Sequence, residues 1–370
     1  MASLRILQII RSEIIGGAET MLLNLLGGLD ATEFRAGLCI IGSSPLANEA
    51  KVRGFETKEI RPYTGKRDVR FLLNLARTIR RTNPHIVHSH IWFTNLYASV
   101  CGGMLGIPVI STFHSNYSID NFWERASLRV IYHFSSRTVL VSNYQVGHLG
   151  FKPRMRRTCV IRNGVTLPPL KTITPLGLSE LKKTEIGVKN RDKIITYVSN
   201  LRPIKGHIYL LQAMRLVLRE FENVSLLLIG DGPLRQELTQ FCEEYGLSHR
   251  VKFLGFRNDI MDLLSLTDIF VHPSLSEANS MAVMEAMANA KAVIATNVGG
   301  NSELIEDGKD GILVRACDPR AIADKISFLL ENNDVATQLG YNARIKIEQK
   351  FTIGNMVKNY ERIYRQIARH

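Results

Sequence analysis

Short apolar runs alternate with helix-patterned stretches along the whole chain, and near the middle the alternation lapses and starts afresh. Strand-like runs fall at 4–10, 36–41, 57–60, 86–88, 109–113, 138–141 and 159–161, then at 194–198, 224–229, 251–254, 268–271, 292–295 and 311–314. Strands covered by helices on both faces are near-continuous hydrophobic runs, so the pattern specifies an α/β fold built on parallel sheets. Between the two sets, residues 163–175 hold Pro168-Pro169 and few apolar side chains, which makes them the best linker. Two Rossmann-like, doubly wound domains facing a central cleft, residues 1–165 and 166–351, are the economical solution. A chain of 370 residues is long enough to give each its own core.

No apolar run approaches the length of a membrane span. The run at 4–10 is interrupted by Arg5 and Gln8 and lacks a cleavage site, so it reads as a first strand and not as a signal peptide. Cys39, Cys101, Cys159, Cys242 and Cys317 are odd in number, far apart and set in apolar sequence, which points to reduced core thiols in a cytoplasmic protein. The net charge of +13 is uneven: residues 1–165 carry 21 Lys and Arg against 10 Asp and Glu, residues 166–370 carry 26 against 24. The first half therefore meets the anionic partner. Nucleic acid fits poorly, because the basic residues are scattered without interleaved aromatics or a reading motif. An anionic lipid acceptor, or peripheral contact with the inner face of the membrane, fits at least as well. The stretches 66–81, with Val69, Leu72, Leu73, Ala76 and Ile79 on one face and Arg67, Arg70, Arg77, Arg80 and Arg81 around it, and 121–134, with Phe122 and Trp123, are core helices by default and membrane-facing helices by the sharper reading.

The chemistry concentrates in Glu277-Ala-Asn-Ser-Met-Ala-Val-Met-Glu285, which follows a strand-like run and the turn His272-Pro273-Ser274. A helix opening near Ser280 directs the amides of Ser280, Met281, Ala282 and Val283 toward the carboxyl end of the sheet, where phosphates bind. Glu285, about 7.5 Å along that helix from its first amide, suits a sugar hydroxyl of a nucleotide, while Glu277 faces whatever hangs beyond the phosphates. A helix with one capping and one surface glutamate explains the nine residues equally well. Earlier, Arg202 and Lys205 sit in a loop ahead of a helix near His207, placed to clamp a diphosphate. Gly230-Asp-Gly-Pro233 reads first as a structural turn, and Phe256 and Arg257 at another strand end would flank a nucleobase. In the first half, Gly16 and Gly17 precede a helix near Ala18 and let the backbone approach a phosphate or sugar, or form a tight turn. His88, His90 and His114 lie at strand ends. A metal on His88 and His90 is the poorer reading, since their directions are expected to splay and no carboxylates accompany them; sugar contact or ordinary hydrogen bonding is the better one.

Taken in order, Gly16-Gly17-Ala18-Glu19, Thr112-Phe113-His114, Asn163-Gly164-Val165, 201–206, Gly230 to Pro233, Phe253-Leu254-Gly255 and the Glu277/Glu285 pair resemble the retaining glycosyltransferases of family 4, which have the GT-B fold. The resemblance covers essentially the whole chain. It implies a nucleotide-diphosphate sugar donor held mostly by the second domain and a lipid-linked or saccharide acceptor approaching from the first. It further implies a last helix, near 352–368, returning to the first domain, and no metal or other cofactor. Glu285 would hold the ribose, Glu277 the donor sugar and the charge at its anomeric carbon, and Lys205 with Arg202 the departing diphosphate; Gly16 and Gly17 would close over it, and His114 would sit beside the sugar and acceptor.

Departures are confined to neighbours of these groups. The family's usual arginine two residues before Arg202 is Asn200, the segment between the glutamates is Ala278-Asn279-Ser280, and Thr166 stands where an aspartate often does. They motivate a second reading, a subunit that binds nucleotide sugars without turning them over. A nucleotide-sugar epimerase fits worse, because its carboxylate pattern is not visible.

Overall fold

A computed structural model describes residues 3–60, 69–116, 122–148, 157–169 and 176–369. The chain forms two compact units, 1–164 with 353–370, and 165–352. Residues 170–175 of the expected linker, and Lys66, Arg67 and Asn121 of the two basic stretches, lie outside the described residues.

The first unit holds a seven-stranded parallel sheet of β1 (Leu4–Arg11), β2 (Phe34–Ile41), β3 (Thr57–Ile60), β4 (Ile86–His90), β5 (Val109–Phe113), β6 (Arg137–Leu140) and β7 (Thr158–Val160), ordered β3-β2-β1-β4-β5-β6-β7. The second holds six parallel strands, β8 (Lys193–Val198), β9 (Val224–Ile229), β10 (Val251–Gly255), β11 (Ile269–His272), β12 (Ala292–Thr296) and β13 (Ile312–Val314), ordered β10-β9-β8-β11-β12-β13. Each apolar run of the sequence is one of these strands. Ile9, Ile10, Ile40, Val87, Ile194, Leu226, Phe270 and Ile294 are all buried, the signature of strands covered on both sides. In both sheets the strand order reverses between the first and fourth strands, β1/β4 and β8/β11. At such a reversal the connections leave on opposite faces and open a crevice at the carboxyl ends.

The helix Ile353–Ala368 belongs to the first unit. Met356, Val357, Tyr360, Ile363 and Tyr364 are buried along one face. Burying each such side chain contributes about 1.5–3 kcal/mol. Arg365 also grips Glu33 through two bonds of 2.7 and 2.6 Å, but both side chains are about 40% exposed, so the pair contributes at most about 1 kcal/mol. Apolar burial, not charge, holds the helix down.

Two expectations need correction. In the helix Val69–Thr82 the inward face is Phe71, Leu75 and Ile79, and Leu73 is 49% exposed; the apolar stripe is turned from the one read off the sequence. Cys39, Cys101 and Cys242 are buried free thiols, but Cys317 is exposed, at a backbone φ of +58°.

Candidate functional site

In the second unit, the loops leaving β8 and β11 flank the strand reversal. Chain leaves β8 through Asn200 and Arg202, makes a short 3-10 turn at Pro203–Lys205 and enters the helix His207–Glu220. Chain leaving β11 passes through His272 to Glu277 and enters the helix Met281–Ala288. The two loops are stitched together: the Ile204 carbonyl accepts from the Leu275 amide at 2.8 Å and from the Ser274 hydroxyl at 3.1 Å, and the Tyr197 hydroxyl donates to the Lys205 carbonyl at 2.7 Å. Gly206, at φ +66°, lies so close that a Cβ there would stand 2.1 Å from the Pro273 carbonyl oxygen. Gly206→Ala is expected to cost about 2–4 kcal/mol, strain and clash together. Gly246 has φ +68° but open space around its Cβ, so Gly246→Ala carries the strain without the clash. Equal thermal denaturation losses in the two variants would show that the contact with Pro273 does not matter.

This stitching brings together residues 72 apart. Lys205 Nζ donates to Glu277 Oε1 at 2.6 Å, and His272 Nε2 donates to the same oxygen at 3.0 Å. Glu277 is buried. Burial alone would raise its pKa, but the Lys205 charge and the His272 hydrogen bond more than reverse this and bring it down to about 2. The carboxylate is therefore ionised at any working pH. Lys205 and Glu277, assigned separately from the sequence to diphosphate and sugar, are one ion pair. His272 was missed as its third member, although it opens the turn ahead of the nonapeptide.

The helix after Glu277 starts one residue later than the expected row of four amides requires. Ser280 is its N-cap, and its hydroxyl accepts from the Val283 amide at 3.3 Å; the Val283 amide is thus occupied, a correction to the expectation that all four amides are available. The Met281 and Ala282 amides have no acceptor among the described residues. Five residues in, Glu285 is half-buried with no side-chain partner among the described residues, and burial pushes its pKa up to about 7. Arg202 is exposed and equally unpartnered among them.

Arg257, expected to flank a nucleobase with Phe256, is held by two carboxylates. Its guanidinium binds Asp259 at 2.8 and 2.7 Å and Glu185 at 2.8 Å, so it fastens the loop after β10 to the helix Leu176–Glu185. Its neighbour Phe256 is 62% exposed. Gly230 and Gly232 press on the backbone of Ser199 and Leu201, and Leu201 donates its amide to the Asp231 carbonyl and accepts at its own carbonyl from the Leu234 amide. The glycine turn is structural and supports the loop that carries Arg202.

In the first unit, Gly16 is the N-cap of the helix Gly17–Gly28, one residue earlier than expected. The Gly16 amide donates to the buried Glu19 carboxylate at 3.0 Å. Burial raises the pKa of Glu19, and this carboxylate, not assigned a role from sequence, orders the glycine loop. His114, just past β5, is bonded to His90 at 3.0 Å, and its Nδ1 is buried without a partner among the described residues. Burial pushes its pKa down to about 4. His88 and His90 do not splay: residues two apart on a strand share a face, and their rings lie 4.2 Å apart. Both are committed to buried hydrogen bonds, and no group of three metal-ligating side chains occurs among the described residues.

Two doubly wound parallel sheets define a protein of two Rossmann-like α/β units, and sequence comparison gives the class. The family model described as Glycosyltransferase Family 4 matches residues 15–167, and that described as Glycosyl transferases group 1 matches 179–346. Between them the two span both units; the chain belongs to this family of GT-B proteins and is a glycosyltransferase. It is 25% identical, over 95% of its length and 94% of the relative's, to the UDP-Gal:alpha-D-GlcNAc-diphosphoundecaprenol alpha-1,3-galactosyltransferase of Escherichia coli. It is 27% identical, over 87% and 84%, to the N-acetyl-alpha-D-glucosaminyl L-malate synthase of Bacillus anthracis. The fold matches that of Anabaena HepE in complex with UDP-glucose, with a TM-score of 0.86, 22% identity and coverage of 98% and 99%.

Proposed function

We propose that the protein transfers a hexose-type sugar, with retention and without a metal, from a nucleoside diphosphate to a lipid-linked or cell-surface saccharide acceptor. The observation that carries the reading is the Lys205–Glu277 ion pair on the loop that runs into the two open amides of Met281 and Ala282. A cation and a helix start together suit a diphosphate. As the bond from the anomeric carbon to the diphosphate breaks, its electron pair goes to the phosphate oxygen; Lys205, with Arg202, offsets that charge. Glu277, kept ionised, faces the positive charge growing on the sugar. Glu285 accepts from the ribose hydroxyls, and Phe256 stays a candidate for the base. Gly16 and Gly17 let their loop approach the diphosphate, and His114 sits beside the sugar and acceptor. The substrates of the E. coli relative, UDP-Gal and a diphosphoundecaprenol-linked sugar, favour a uridine donor and a lipid-linked acceptor.

A thermal-shift and turnover panel of UDP-, GDP- and ADP-sugars tests this. Consumption of one donor, first by slow hydrolysis and then with acceptor, is the expected result. A donor that stabilises the protein and is never consumed would instead establish the binding-subunit reading that Asn200 and 278–280 suggest.

The basic surplus of residues 1–165 supports a cytoplasmic enzyme in peripheral contact with an anionic inner-membrane surface. No helix among the described residues is long and apolar enough to cross a membrane, while Phe122 and Trp123 stand 72% and 70% exposed on the helix Phe122–Phe134 beside Arg125 and Arg129. Binding to phosphatidylglycerol vesicles should weaken as salt rises past about 0.15 M, where the Debye length falls to about 8 Å, and should weaken further in Phe122→Ser with Trp123→Ser. Binding indifferent to both salt and these changes would remove the membrane from the account.

A further inference from the structure

One buried polar side chain interrupts the first strand. Gln8 is fully buried in β1, level with His88 of the neighbouring β4. Its Nε2 donates to the Tyr364 hydroxyl at 3.0 Å, and its Oε1 accepts from His90 Nε2 at 2.8 Å. The Tyr364 hydroxyl in turn lies 2.7 Å from His88 Nδ1, and His88 Nε2 lies 2.8 Å from Thr112 Oγ1. At the other end, His90 Nδ1 lies 3.0 Å from His114 Nε2.

Hydrogen-bond roles run through this chain without freedom once one member is fixed. Burial holds His88, His90 and His114 neutral, and a neutral imidazole has one donor and one acceptor nitrogen. An amide oxygen only accepts, so the proton of His90 is on Nε2 and its Nδ1 carries the lone pair. His114 must then donate from Nε2, which leaves its Nδ1 as a bare acceptor. The reverse order, with Gln8 turned over, would bury an Nδ1–H on His114 with no acceptor. An unpaired buried N–H is the costlier and rarer of the two defects.

We propose that Gln8 is a positioning residue: through His90 it fixes His114 as the Nε2–H tautomer, so that His114 Nδ1 accepts a hydrogen bond from a hydroxyl of the sugar substrate. The proposal deepens the reading of His114 as a substrate-facing group and rests on it. Tyr364 completes the device by holding the Gln8 amide in its orientation, which gives the returning helix a part in the chemistry as well as in packing.

Nitrogen-15 NMR of the histidine rings, with His114 identified by its loss in His114→Gln, reads the tautomer directly in the wild-type protein. The expected pattern is Nε2–H on His114; an Nδ1–H pattern overturns the proposal. In Gln8→Met, similar in size but without an acceptor for His90, His114 should show mixed tautomers. Its kcat should fall by about 10- to 100-fold, as loss of an oriented imidazole does, with nucleoside-diphosphate affinity within about twofold of wild type because other residues bind the nucleotide. Unchanged tautomer and unchanged kcat in Gln8→Met would equally overturn it. If His114→Ala turns over at the wild-type rate, the substrate-facing reading of His114 is what has failed, whichever tautomer is found.

Discussion

Lys205→Ala should lower kcat by about 10²- to 10³-fold while leaving donor affinity within about tenfold, because the charge that Lys205 meets is larger in the transition state than in the bound donor. The geometry gives the change a second effect. Lys205 is the main group that overcomes the burial of Glu277, so its removal takes away most of what keeps that carboxylate ionised, although His272 stays bonded to it. The pKa of Glu277 should rise, and Lys205→Ala should acquire a pH dependence of kcat on the acid side that the wild type lacks. Lys205→Arg keeps the charge with a different shape and should recover part of the loss. Steady-state kinetics with the donor found in the panel decides the matter: a Lys205→Ala enzyme within about threefold of wild type would take the diphosphate away from this loop.

Glu285→Ala should act the other way round, weakening nucleoside-diphosphate binding by about 10- to 100-fold, the worth of one or two charge-assisted hydrogen bonds, with a smaller effect on turnover. Its raised pKa adds a signature. A carboxylate must be ionised to accept from both ribose hydroxyls, whereas in the free protein Glu285 is half protonated near pH 7. Binding therefore expels a proton below that pH, and Kd should rise by up to about tenfold per pH unit on going down from 7, then level off above it. Glu285→Gln should bind weakly and without this slope. Stability runs in the opposite sense. The folded-state pKa lies above the ordinary 4.5, so the group's stabilising contribution is complete below pH 4.5 and lost as pH rises through 7. Glu285→Gln, neutral throughout, should therefore gain stability over wild type at pH 8 and not at pH 4. Calorimetric titration across pH 5 to 8 with the nucleoside diphosphate would show a flat wild-type profile if Glu285 does not touch the ribose.

The strands were legible because burial on both faces writes itself into the sequence as unbroken Ile, Val and Leu. The helix that starts past Ser280 was legible for a local reason too: Ser280 reaches the Val283 amide three residues on, a relation that spacing alone carries. The same spacing should have warned that this amide would be occupied. What spacing cannot carry is the Lys205–Glu277 pair, which exists only because β8 and β11 are neighbours in the sheet. The Arg257–Asp259 pair is a local relation, two residues apart and of opposite charge, that the sequence does carry. Period two places His88 and His90 on one face, and Gln8 stands out as a polar residue in an apolar run. A polar residue in a strand otherwise buried on both faces has to be partnered, and that rule points to the network from sequence even though it cannot name the partners.

The return of the helix Ile353–Ala368 to the first unit also sets an order of events during synthesis. Residues 165–352 are contiguous and are closed on themselves where Val165 meets Phe351 and Thr352, so they can finish folding as soon as they leave the ribosome. The earlier sheet cannot: Gln8 and His88 wait for Tyr364, and until that tyrosine is translated the nascent first half carries unsatisfied polar groups in what will become its centre. Synthesis in the N-to-C direction thus makes the part translated first the part completed last, and leaves it longest in need of chaperones.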